Sequence, residues 1–221
     1  MASLVGTAQW VPIDFNSATC DRFEQIGQGG FATVFRSSIG GFTVAEKVVS
    51  LVGISPSNLE SFMQEVMLVR QLAHANIVRY LGHAVHGDEL SLYVEYHRCS
   101  LHALLSQRIE RAPSIAHALA DNDPAEVRHV ALQIANAIHY LHHIATPPVI
   151  HRDVKASNIL ISKPDHGSVT QWRVCLSDFG VSVLCPNELS AYALIGTPAS
   201  MAPEMTTATK ERPYNEKIDS T

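Results

Sequence analysis

The chain has 221 residues, 46% apolar and 17% charged, the balance of an ordinary globular protein with room for a substantial core. A net charge of −5 excludes general electrostatic attraction to nucleic acid, and no apolar run approaches the ~20 residues needed for membrane insertion. Four cysteines, Cys20, Cys99, Cys175 and Cys185, stand at no metal-ligand spacing and predict reduced thiols; Met1-Ala2-Ser3-Leu4 begins no signal peptide, and Ala2 stands where myristoylation needs glycine, so a cytoplasmic location is expected.

Residues 1–20 read as a leader of strand or coil character. Residues 23–27, 33–39 and 42–49 read as three antiparallel strands. The second and third are joined by Gly40-Gly41, a two-residue turn that needs positive φ at one or both positions. Between the first two lies Ile26-Gly27-Gln28-Gly29-Gly30-Phe31-Ala32-Thr33-Val34, a loop with so little side chain that backbone N–H groups can approach phosphates. The third strand carries Ala45, Glu46 and Lys47, and alternation sends Glu46 to solvent if Lys47 faces inward. A helix is predicted from Ser55-Pro56, a cap followed by proline at the first helical position. Its apolar stripe is Phe62, Val66, Val69 and Leu72, with Glu65 beside it. Residues 77–82 and 90–96 suggest two more strands.

Residues 97–100 connect to a mostly helical second half, and the stretch between Ser106 and Asp123 reads as a surface insertion with some helix. The clearest helix begins at Asp123-Pro124-Ala125-Glu126, with Asp123 as N-cap and Glu126 completing a capping box. Val127, Val130, Ala131, Ile134, Ala137, Ile138 and Leu141 are its expected apolar face. His151-Arg152-Asp153-Val154-Lys155-Ala156-Ser157-Asn158 follows, and then Asp178-Phe179-Gly180. Asp153 can accept a proton, Lys155 can neutralise phosphate charge, and Asn158 and Asp178 offer hard oxygen ligands of the kind magnesium prefers. Gly196-Thr197-Pro198 leads into Met201-Ala202-Pro203-Glu204. The twelve histidines show no ligand spacing and, apart from His151, read as surface or loop residues.

In this order the motifs resemble the protein kinase family, and Lys155 with Gly196-Thr197-Pro198 resembles its serine/threonine branch. Trp10-Val11-Pro12-Ile13-Asp14-Phe15 is similar to the lead-in of the tyrosine-kinase-like group of that branch. The resemblance implies an α+β, bilobal protein-kinase-like fold: a leader at 1–20, an N-lobe at 21–96 with a five-stranded antiparallel sheet plus one helix, and a mostly helical C-lobe at 97–221. Residues 215–221 resemble the start of a long central helix after which family members continue, so the C-lobe is expected to be incomplete, and the arginine that usually pairs with Glu204 would lie beyond it. Asp219 matches an aspartate that braces the catalytic loop.

ATP and Mg2+ are implied as well. Ile26, Gly27, Gln28, Gly29, Gly30, Phe31 and Ala32 would cover the phosphates, Ala32 replacing a glycine and so altering loop flexibility. Val34, Ala45 and Leu160 would sandwich adenine, Val94 would control access behind it, and Glu95 and His97 would offer hinge backbone groups. Lys47, fixed by Glu65, would hold the α- and β-phosphates, with Asp153, Lys155 and Asn158 catalytic and Asn158 and Asp178 on the metal. Thr197 would pack against the catalytic loop, and Val69, Tyr80, His151 and Phe179 match a stacked column between the lobes. Arg152 would meet a phosphate placed by an upstream kinase on Ser190, Ser182 or Tyr192, and protein hydroxyls would be the substrates. A non-catalytic nucleotide-binding scaffold is the competing reading. A small-molecule kinase is disfavoured by Met201-Ala202-Pro203-Glu204, and a Walker-type NTPase is excluded because the glycine loop lacks a Gly-Lys-Ser/Thr ending.

Overall fold

The computed structural model describes residues 20–106, 124–162, 171–184, 196–208 and 214–220. The leader at 1–19, the insertion at 107–123 with its Asp123 cap, and the hydroxyls Ser190 and Tyr192 lie outside the described residues.

Strands β1 (Cys20–Gln28), β2 (Thr33–Ile39), β3 (Phe42–Ser50), β4 (Tyr80–His86) and β5 (Glu89–Glu95) form one antiparallel sheet in the order β1-β2-β3-β5-β4. Gly40 and Gly41 sit at φ 54° and 82°, so both positions of the β2–β3 turn use the left-handed region. Helix α1 (Pro56–Val69) begins where expected: the Ser55 side chain accepts from Asn58 N, and Pro56 occupies the first helical position. Its buried face is Phe62, Glu65, Val66, Leu68 and Val69, so an acidic residue sits within the apolar stripe.

Residues 77–79, expected to open a strand of this sheet, do not join it. Ile77 bridges Leu176 instead, Val78 N donates to Leu176 O at 2.9 Å, and Leu176 N donates to Asn76 O at 2.9 Å. The Asn76 side chain adds a bond to Val174 O at 2.9 Å, which fixes this segment against the second lobe rather than against β5. The expected exposure of Glu46 is also overturned. Alternation along β3 does turn it away from Lys47, but that face of the sheet is covered, and Glu46 is 0% exposed beside a small cluster of Ile39, Val44, Ala84 and Tyr93.

The second lobe holds a sheet of β6 (Cys99–Ser100), β8 (Ile159–Ser162) and β9 (Arg173–Leu176), plus a pair formed by β7 (Val149–Ile150) and β10 (Val183–Leu184). Helix α2 (Leu101–Leu105) is capped by Ser100, and helix α3 (Pro124–His139) runs into a π-turn, Tyr140–Ile144. The packed stripe of α3 is narrower than the sequence suggests. Val130, Ala137 and Leu141 are buried with Ile134 against them, but Val127 and Ala131 are exposed, the first a turn ahead of the buried run and the second off its side. One apolar cluster joins α1, β5, β8, β9 and α3 through Phe62, Val66, Leu92, Ile161, Val174 and Ala137. The architecture is therefore α+β and bilobal. Among the described residues no helix is long and apolar enough to cross a membrane.

Candidate active site

A cleft of about 410 Å³ opens beneath the glycine loop, between the five-stranded sheet and the β8–β9 hairpin. Thirteen of the fifteen residues assigned from sequence to nucleotide binding line it: Ile26, Gly27, Gln28, Gly29, Ala32, Val34, Ala45, Lys47, Glu65, Val94, Glu95, His97 and Leu160. Gly30 and Phe31 do not; they stand at the turn of the loop, where Gly29 N donates to Ala32 O at 2.7 Å. Ala32 is buried and keeps an ordinary negative φ, so the conformational cost of replacing glycine does not arise there.

At the inner end of the cleft Lys47 joins three chain segments. Its Nζ lies 2.7 Å from each Glu65 carboxylate oxygen and 3.1 Å from Asp178 Oδ1. Burial alone would lower the Lys47 pKa, but the two carboxylates overcome it and hold the ammonium charged, above its ordinary value. Burial likewise works to raise the Asp178 carboxyl, and Lys47 holds it below the usual range. Gly180 lets the groups meet: a Cβ there would come within 3.2 Å of Glu65 Oε2 and 3.6 Å of Lys47 Nζ. The His151 ring packs edge-on against Phe179 at 4.9 Å, and Val69 and Tyr80 belong to the same apolar cluster as Phe179.

The catalytic-loop residues converge one step further out. Asn158 donates to the Asp153 carbonyl and to its Oδ2, both at 2.9 Å. Lys155 Nζ pairs with Asp153 Oδ2 at 2.7 Å and also donates to the Thr197 hydroxyl. Thr197 Oγ1 and N in turn donate to Asp153 Oδ1 at 2.7 and 3.1 Å. Burial would raise the Asp153 carboxyl, but Lys155, Thr197 and Asn158 together hold it below the ordinary value. Asn158 lines the cleft, so this carboxylate stands at the cleft's edge. Gly196 makes the approach possible: its φ is 126°, and a Cβ would fall 2.5 Å from Arg152 O.

The loop backbone is held from below. Asp219 Oδ2 accepts from His151 N and Oδ1 from Arg152 N, each at 2.7 Å. His142 completes the support, its Nε2 lying 2.9 Å from Asp219 Oδ2. His142 was expected at the surface and is buried, and no sequence spacing connects it to Asp219. Burial lowers the His151 pKa, so the ring is neutral. It sits 3.0 Å from Ser177 O through Nε2 and accepts from Asp153 N through Nδ1, which assigns the ring proton to Nε2. Ser182, one of the three candidate phosphate acceptors, is half-buried and donates its hydroxyl to His151 O at 3.2 Å, while Arg152 Nε donates to Val181 O at 2.6 Å.

Sequence reasoning missed other cleft residues, among them Val78, Leu92, Tyr96, Ser157 and Ser177. Single apolar or hydroxyl residues carry no motif, although Ser177 could have been found from its place beside Asp178. It also missed that His97 is buried and that its hinge side chain meets Glu95 and β9.

Comparison with known proteins agrees with this geometry. The chain is 38% identical over 194 residues to a kinase and exchange factor for Rac B from Dictyostelium discoideum, covering 87% of this chain and 16% of that protein. It is 33% identical over 198 residues to the serine/threonine-protein kinase CTR1 of Arabidopsis thaliana, covering 89% and 22% of the two chains. A calmodulin-binding receptor-like cytoplasmic kinase 1 from the same plant is 33% identical over 181 residues, covering 79% and 34%. The chain thus spans between 16% and 34% of the length of these relatives. The protein kinase domain family matches continuously across residues 20–220, so this chain belongs to the protein kinase family.

Proposed function

We propose that the chain transfers the γ-phosphoryl group of ATP to serine and threonine hydroxyls of proteins. The observation that carries this reading is the convergence of Lys47, Glu65, Asp178 and Asn158 on one cleft, with the Asp153 carboxylate bonded to Asn158 at its edge. Lys47 is charged and held by two acids, so it can take the α- and β-phosphates without moving. Val34, Ala45 and Leu160 give the adenine an apolar slot, and the backbone of Glu95 and His97 faces its edge. Asp153 is aligned by donors from three residues, Lys155, Asn158 and Thr197, and can orient a substrate hydroxyl and receive its proton. Lys155, between Asp153 and Thr197, stands where charge builds on the transferred group.

The residues present fit a magnesium ion. Asn158 spends its amide N–H groups on Asp153, so its oxygen is the end left for the cleft, and Asp178 supplies a second hard oxygen from a carboxylate kept ionised by Lys47. When bound, magnesium would neutralise phosphate charge and fix the orientation of the phosphate chain. Residues 21–96 and 97–221 serve as the two lobes, and the cytoplasm is the proposed location, as the name of the similar plant cytoplasmic kinase suggests. Phosphorylation by an upstream kinase would place a phosphate near Arg152. Ser182 is the weakest of the three candidate acceptors, because its hydroxyl is already bonded to the catalytic loop.

The test is phosphotransfer from ATP to a generic serine/threonine protein substrate by the chain and by Asp153→Asn. Loss of roughly 10²–10⁴ in kcat with ATP binding retained supports the reading. Turnover unchanged by the substitution refutes the assignment of Asp153. Nucleotide-induced thermal stabilisation with no turnover in either protein supports a scaffold.

A further inference from the structure

One cluster of chemistry-bearing side chains lies beside the cleft and takes no part in the phosphoryl-transfer reading. The hinge contributes Glu95 and His97, and β9 contributes Cys175. A carboxylate oxygen, an imidazole nitrogen and the thiol sulfur all lie within 4.8 Å of one another. No other group of three such residues occurs among the described residues. All three are withdrawn from solvent: Cys175 is fully buried, the His97 side chain is 0% exposed and that of Glu95 is 12% exposed.

His97 supplies the second, independent observation. Its Nε2 lies 2.8 Å from Glu95 Oε1 but is not aligned to bond to it, and no other hydrogen-bond partner reaches that nitrogen. A buried ring nitrogen therefore faces the cluster with the Glu95 carboxylate at ion-pair distance but no well-aligned hydrogen bond. Its other nitrogen, Nδ1, is 2.8 Å from Ser162 Oγ. An outer partner of this kind fixes the tautomer of a metal-ligating imidazole and leaves the opposite nitrogen free to coordinate.

The remaining ligands narrow the ion. Arg173 and Arg79 pair with Glu95. A carboxylate has about four lone-pair sites, so these pairs do not exhaust it. The Cys175 sulfur has only a long contact of 3.5 Å to Ala75 O. A thiolate beside an imidazole and a carboxylate is a borderline-soft donor set, which disfavours the hard cations magnesium and calcium and favours a cation with strong thiolate affinity, the thiol proton passing to solvent on binding. The nearby guanidinium groups oppose a dication, so the affinity falls below that of a closed four-ligand site.

We propose that Glu95, His97 and Cys175 form a zinc-class cation site in the hinge wall of the nucleotide cleft, with three protein ligands and an open fourth position. Binding ties the hinge to β9. Because Glu95 and His97 also line the cleft, zinc and nucleotide affinities are coupled, each shifting the other by the same factor.

The test is titration of the metal-free full chain with Zn2+ against a chromophoric chelator, with Co2+ as a spectroscopic probe of thiolate ligation. One equivalent of zinc and a thiolate-to-cobalt charge-transfer band are expected. Cys175→Ser and His97→Asn should remove both, Ser162→Ala should weaken zinc binding by about tenfold to a hundredfold, and Cys20→Ser should leave it unchanged. Zinc uptake that survives both Cys175→Ser and His97→Asn overturns the proposal, as does a folded wild-type chain with no saturable binding. Should Cys175→Ser fail to fold, zinc protection of the wild-type Cys175 thiol from alkylation decides: protection supports the site, and none overturns it.

Discussion

Replacing Glu46 by glutamine tests the least expected feature of the sheet. The carboxylate is 0% exposed and accepts from Arg22 Nε and Nη2 at 2.9 Å, Ser37 Oγ at 2.8 Å and Ser91 Oγ at 2.9 Å, with Tyr93 and Cys20 more distant. Burial would raise its pKa, yet these donors hold it at about 2, against an ordinary 4.5. That shift corresponds to about 3 kcal/mol of stability from the ionised form. Glutamine keeps the shape but removes the charge and turns donor hydrogens toward Arg22. Breaking a buried pair on one side costs about 3–5 kcal/mol, so both routes give the same scale. The assay is denaturant unfolding beside a control, Glu24→Gln, whose surface pair with Arg36 at 2.9 Å should be worth under about 1 kcal/mol. The sign with pH is fixed. A carboxyl whose folded pKa is depressed stabilises above its unfolded value, and that contribution is lost as pH falls from about 4.5 toward 2. The difference between wild type and Glu46→Gln should therefore shrink through that window. ATP affinity of the folded variant should change little, because Glu46 faces away from the cleft. Glu46→Gln costing no more than Glu24→Gln, or a difference that persists at low pH, would refute the reasoning.

Thr197→Val removes the hydroxyl that donates to Asp153 and accepts from Lys155; kcat should fall roughly 10²-fold with KM for ATP nearly unchanged, as read by steady-state kinetics. Gly196→Ala forces a Cβ to within 2.5 Å of Arg152 O at a φ of 126°, and unfolding should show a loss of about 3 kcal/mol or more. The lowered pKa of buried His151 means the unfolded chain takes up its proton first. Stability from this group is then complete above about 6.5 and declines as pH falls below it, and a His151→Phe chain should show a flatter Tm-against-pH profile in that range.

Most of the sheet and the cleft could be read from residues because their signals are local. Gly40-Gly41 demands a turn wherever it occurs, and Ser55-Pro56 starts a helix by supplying its own cap. Lys47, Asp153, Asn158 and Asp178 could be singled out because ordered motifs point each position to one chemistry. What was not legible depends on partners distant in the chain. Period-two alternation sent Glu46 away from the cleft correctly, but nothing in β3 says that the far face is covered or that Arg22, 24 residues earlier, would meet it. Ile77 looked like a strand residue but makes only an isolated bridge to Leu176, ahead of the strand that begins at Tyr80. His142 and Asp219 are 77 residues apart, and His97 and Ser162 are 65 apart, so only the fold could join them.

The backbone at the site shows why so much support converges beneath it. Among the described residues, Arg152 and Asp178 are the two non-glycine positions with positive φ, at 67° and 64°. Each such position costs on the order of 1–3 kcal/mol and persists only where its surroundings over-determine it. Arg152 is fixed by the charge-assisted bonds from Asp219 to its own N–H and to that of His151, and by its guanidinium on Val181 O. Asp178 is fixed from the opposite lobe by Lys47. The two strained residues are linked through His151, which packs against Phe179 and bonds Ser177. Strain at Arg152 and at Asp178 is thus held by one connected set of contacts. Asp219 supports the Arg152 end of this set and Lys47, itself held by Glu65, the Asp178 end.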